Sequence, residues 1–174
     1  MEDISCAASY TAAGPYPEIR AEGKNQRYGQ AILSNIGGGV SEMGAVARYL
    51  YGRVTQGGRP EVAECLGHIA MVEMHHLSIF SELARQLGED PRLWSPFRGG
   101  RRYWTPEYLS YPRRLEQLLR YAIDEERAAI RKYRQQALWI KDKNVVENLN
   151  RIVEDEEVHA EILICLLKSY CTGL

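Results

Sequence analysis

From about Gln30 onward, long stretches in which apolar residues recur every three to four positions alternate with short breaks rich in Gly and Pro. That recurrence matches the α-helical period. It predicts four helices, from about Gln30 to Arg53, Glu61 to Leu87, Arg113 to Ile140 and Asn144 to Ser169. Pro60 precedes the second, and Gly88 and Pro91 stop it. Nothing reads as a strand. Residues 1–29 carry Gly14, Pro15, Pro17, Gly23 and Gly29 without a sustained period, so they are expected to form an irregular arm on the surface. Residues 88–112, rich in Pro, Gly and aromatics, read as a long crossover. Short links within each pair of helices and a long one between the pairs describe an all-α four-helix bundle of two antiparallel hairpins, spanning residues 30–174.

The stripes are interrupted by polar groups in a repeated way. On helix 2, "EMHHL" places Glu73 and His76 at i, i+3 on one face, whereas His75 is rotated by roughly 200° from Glu73. The same face carries Cys65, Leu66, Ile69, Phe80 and Leu83. A carboxylate and an imidazole inside such a stripe need compensation, which metal coordination supplies. One Glu-x-x-His is a common accident, but "IVEDEEVHAEIL" places Glu156 and His159 at the same spacing on helix 4. Helix 1 carries "EMGAVARY" and helix 3 "ERAAIRKY", each a Glu followed seven residues later by a Tyr: Glu42 with Tyr49, and Glu126 with Tyr133. Glu42 precedes Glu73 by 31 residues and Glu126 precedes Glu156 by 30, so the chain reads as a degenerate duplication.

Two helices giving one Glu and two giving Glu-x-x-His make a cage of four carboxylates and two imidazoles, a ligand set for two transition ions about 4 Å apart. Glu42, Glu73, His76, Glu126, Glu156 and His159 are therefore the expected metal ligands. Glu42, Glu126 and Glu156 are expected to take part in catalysis by shifting and shuttling protons. Tyr49 and Tyr133 are placed to hydrogen-bond the ligand carboxylates or to pack the core. Gly37, Gly38, Gly39 and Gly44 bracket Glu42, which implies either a helix start or a close backbone approach. His68 and His75 have no counterpart in the repeat.

Composition narrows the partners. Lys and Arg number 22 against 23 Asp and Glu, so no broad basic field suits nucleic acid or an anionic membrane. No run of about 18 apolar residues offers a membrane span, and the first residues lack the features of a secretory leader, which leads us to expect a cytoplasmic protein. The four cysteines form no CxxC pair, so no rubredoxin-type site is encoded.

The combined motifs, covering roughly residues 30–170, resemble the ferritin-like di-metal carboxylate superfamily of rubrerythrins, bacterioferritins and manganese catalases. "GGGVSEMGAVARYL" (37–50) followed by "IAMVEMHHL" (69–77) is most similar to the manganese catalase branch and its short spore-coat relatives. Rubrerythrins usually carry another Glu three residues after the helix 3 ligand, where this chain has Ala129. Met74 matches the position of a haem-ligating Met in bacterioferritins, but one Met is ordinary packing material, and haem is not expected. The resemblance implies two manganese or iron ions, hydrogen peroxide or oxygen as the small-molecule substrate, an oxidoreductase of catalase or peroxidase type, and a homo-oligomer. An iron-handling ferroxidase and a metal-stabilised structural component, such as a spore-coat protein, stay open as alternatives.

Overall fold

The computed structural model describes residues 9–171. Among them are five α-helices: α1 (Gln26–Gly37), α2 (Glu42–Thr55), α3 (Pro60–Gln86), α4 (Leu115–Trp139) and α5 (Lys143–Cys171). The first expected helix is in fact two. α1 begins four residues earlier than its pattern implied, capped by the Asn25 side chain, which accepts the Tyr28 N–H. It ends at the glycine run, and α2 restarts behind Ser41, whose side chain accepts the Gly44 N–H. Close approach explains Gly37, where a Cβ would lie 2.5 Å from the Trp94 backbone nitrogen, and Gly38, where one would clash with the Ser34 carbonyl oxygen, whereas a Cβ on Gly39 would meet open space. Lys132, half-buried, with its pKa pulled down by desolvation to about 7, donates to the carbonyls of Ser34 and Val40 at 2.7 Å each, closing the break.

α1 and α2 lie in succession against α3, α1 beside its C-terminal end and α2 beside its N-terminal half, where Gly52 meets Leu66 and Gly67 meets Arg53. α4 and α5 form the second antiparallel pair. The result is the expected all-α bundle with its first helix interrupted.

The crossover departs from expectation. Within it β1 (Trp94–Phe97) and β2 (Gly100–Tyr103) form an antiparallel hairpin. Its two loop residues, Arg98 and Gly99, both have positive φ (45° and 78°), as the tightest hairpin turns require. No alternation announced these four-residue strands because Arg101 and Arg92 stack on Trp94, and Arg102 on Phe97, rather than extending a buried face.

The core has two parts. One, around Ile32, Phe80, Leu83, Tyr133 and Leu149, lies toward α1. The other, around Tyr49, Leu66, Ile69, Leu119 and Leu163, lies at the opposite end. The polar layer of the sequence sits between them.

Candidate metal centre

Glu42, Glu73, His76, Glu126, Glu156 and His159 all converge in that layer, each at most 1% exposed. They form two overlapping groups of possible ligand atoms, each group within 4.8 Å of itself: Glu42, Glu73, His76 and Glu156, and Glu73, Glu126, Glu156 and His159. Glu73 and Glu156 belong to both groups. The helical spacing accounts for this, since each Glu-x-x-His stacks its carboxylate beside its own imidazole while α2 and α4 each deliver one further carboxylate from across the bundle.

Both imidazoles present Nδ1 inward. His76 Nδ1 lies 3.3 Å from both Glu73 Oε2 and Glu156 Oε1, and His159 Nδ1 lies 3.0 Å from Glu73 Oε1 and 3.2 Å from Glu156 Oε2. The outer nitrogens face groups that only accept: Asp155 Oδ2 at 3.0 Å from His76 Nε2, and the Tyr10 carbonyl at 3.0 Å from His159 Nε2. Each Nε2 therefore carries a proton, which leaves each Nδ1 lone pair available to an ion.

The tyrosines cross over. Tyr133 on α4 donates to Glu42 on α2 at 2.5 Å, and Tyr49 on α2 donates to Glu126 on α4. Burial, together with these carboxylates, pushes both phenols well above their ordinary value, so both stay protonated donors. Arg48 is buried beside the centre, with its guanidinium 3.3 Å from Glu126 and 3.5 Å from Glu125.

The donor set fits cations. Oε1 of Glu73 and Oε1 of Glu156, on the two shared residues, are buried without a well-aligned hydrogen-bond donor, and each lies beside an inward Nδ1, of His159 and His76 respectively. Without ions the cluster compensates with protons. Burial and the neighbouring carboxylates hold Glu42 and Glu126 well above the usual range. Burial opposes charge on the imidazoles, but hydrogen bonds to carboxylates outweigh it, and both His76 and His159 rise well above 6.5. The two imidazoles in turn hold Glu73 and Glu156 low against the burial that would raise them.

Access differs between the two sides. A narrow cleft with room for about one water molecule opens between α2 and α4, lined by Val40, Ser41, Ala45, Arg48, Glu125 and Ala129. On the opposite side the groove between α3 and α5 is filled by the N-terminal arm. None of the arm's described residues before α1 is buried, yet it is tied to the bundle at several points. Its backbone or side chains bond Asp155, Arg151, Asn148, Gln86 and Asp142 in turn. His75 is exposed at the helix surface and meets Tyr16 edge-on at 4.6 Å, while His68 packs on Tyr10 at 4.6 Å. Sequence reasoning overlooked Asp155. Its signal was an Asp immediately before Glu156 and one helical turn from both Arg151 and His159.

Comparison with solved structures finds the same fold in a manganese catalase, KatB, from Anabaena PCC7120. The TM-score is 0.80 at 20% identity, covering 91% of this chain and 80% of that one. A second structure, of wild-type KatB, matches with the same figures. No curated protein matches the chain at a significant level. The rubrerythrin family model matches residues 40–167, which includes all six clustered residues. Helix order, the paired Glu-x-x-His helices and that match together place the chain in the rubrerythrin family, within the ferritin-like di-metal carboxylate superfamily.

Proposed function

We propose that this protein is a dinuclear manganese or iron oxidoreductase acting on hydrogen peroxide, of catalase or peroxidase type. The observation that carries the reading is the sharing of Glu73 and Glu156 by two ligand groups, each completed by one Glu and one His of its own. Glu42, Glu73, His76 and Glu156 would hold one ion, and Glu73, Glu126, Glu156 and His159 the other. When bound, such a pair supplies a two-electron redox change.

The chain supplies the rest. The cleft between α2 and α4 is narrow, which suits a molecule the size of peroxide and excludes larger substrates. Glu42 and Glu126, whose pKa values are raised by burial, sit on the wall of that cleft and are suited to holding and returning the protons that peroxide chemistry moves. Tyr133 and Tyr49 fix the direction in which those carboxylates point. Arg48 places a permanent positive charge beside Glu126, favouring anionic character there. The solved neighbour named as a manganese catalase supports the same reading.

The test is elemental analysis of protein from its native host, together with oxygen evolution and peroxide consumption. Two Mn or Fe per chain with peroxide turnover are expected. A chain that takes up two ions and leaves peroxide untouched overturns the activity.

A further inference from the structure

The duplication leaves one inequality. In the second repeat Asp155 precedes Glu156 and receives the outer N–H of His76. In the first repeat the matching position before Glu73 is Val72, which has no acceptor to offer His159. The missing acceptor comes from outside the bundle, as the carbonyl of Tyr10. The same segment also secures the other half. Asp155 accepts the Ala12 N–H and the Tyr16 hydroxyl at 2.7 Å each, while Arg151 binds both Asp155 and the Ala12 carbonyl.

We propose that residues Tyr10–Tyr16 form a positioning strap that completes the dinuclear centre, supplying the partner of His159 directly and anchoring the partner of His76. The two histidines unexplained by the repeat are its docking points. His68 takes the Tyr10 ring and His75 the Tyr16 ring, with Arg151 over the other contact surface of Tyr16, its guanidinium 4.3 Å from the ring centre. An imidazole held only at its metal end can rotate away from the ion, whereas a fixed acceptor behind it sets both ring orientation and tautomer. The strap therefore acts on retention of the ions from the side opposite the cleft, so substrate need not pass it. This rests on the dinuclear reading above but not on the reaction assigned to it.

The test uses the full-length, metal-loaded protein and follows release of each ion to EDTA, with thermal unfolding of the stripped protein as a parallel measurement. Tyr10→Gly removes the ring that, packed on His68, holds the Tyr10 carbonyl against His159. Tyr16→Phe keeps its ring between His75 and Arg151 and removes only the hydroxyl on Asp155. Tyr10→Gly is expected to speed release of one of the two ions by about 10-fold or more, and Tyr16→Phe to speed release of the other by a smaller factor. Stripped protein should melt as the wild type does. If Tyr10→Gly does not fold, Tyr16→Phe carries the test alone. Release at the wild-type rate, or equal acceleration of both ions together with a lowered melting temperature of the stripped protein, overturns the strap. Wild-type protein that binds fewer than two ions overturns the dinuclear reading and the strap with it; two ions without peroxide turnover overturn only the reaction.

Discussion

The hydroxyl of Tyr133 lies 2.5 Å from Oε1 of Glu42, across the bundle and 91 residues earlier in the chain. The reciprocal bond from Tyr49 to Glu126 makes the duplication a physical relation between its halves. Each ring packs in a different core cluster while its oxygen enters the centre. Replacing either Tyr by Phe keeps the packing and removes one anchor of a carboxylate. We expect both variants to retain two ions per chain and to consume peroxide about 10-fold more slowly. Full activity in Tyr133→Phe and Tyr49→Phe would reduce them to packing residues.

The adjacent histidines offer a sharp contrast. His76 is fully buried with Nδ1 in the cluster, whereas His75 is exposed. His76→Ala should therefore lose one ion, while His75→Ala should keep both at equilibrium. Equal ion counts in the two variants would refute the assignment of ligands by helical face.

Stripped protein should show a stability optimum in weak acid. Glu42 and Glu126 are raised above 4.5 and His76 and His159 above 6.5, so the folded state holds protons that the unfolded chain has released. That stabilisation is complete below those ordinary values and is lost as pH rises through the raised ones. Glu73, Glu156 and Asp155 are lowered, so their contribution disappears instead as pH falls through their depressed values. The melting temperature of stripped protein should fall as pH rises above about 6.5, and bound metal should remove most of that slope by replacing the protons. A flat profile without metal would contradict the buried proton inventory.

Gly37→Ala tests the break between α1 and α2. The new methyl would sit 2.5 Å from the Trp94 nitrogen and 2.7 Å from the Leu93 carbonyl carbon, backbone atoms that cannot step aside singly. A loss of about 2 kcal/mol, or roughly 5 °C in Tm, is expected. An unchanged Tm would mean that the hairpin moves away at no cost.

The sequence by itself determined the helical stretches, apart from the break within the first, their pairing and which faces look inward, because an apolar stripe at the helical period must be buried and a polar group repeated on that stripe must share the burial. It therefore singled out Glu42, Glu73, His76, Glu126, Glu156 and His159 as one set. Two kinds of feature were decided only by tertiary structure. The need for glycine at Gly37 depends on the backbone at Leu93 and Trp94 lying against α1, a contact between distant segments that leaves only a glycine as its local trace. The role of the arm depends on a backbone carbonyl, that of Tyr10, which every residue possesses and no side-chain pattern can advertise. Periodicity records which face is covered; it does not record what covers it, and here the cover on α3 and α5 is an aperiodic segment whose hydrogen bonds come largely from its main chain.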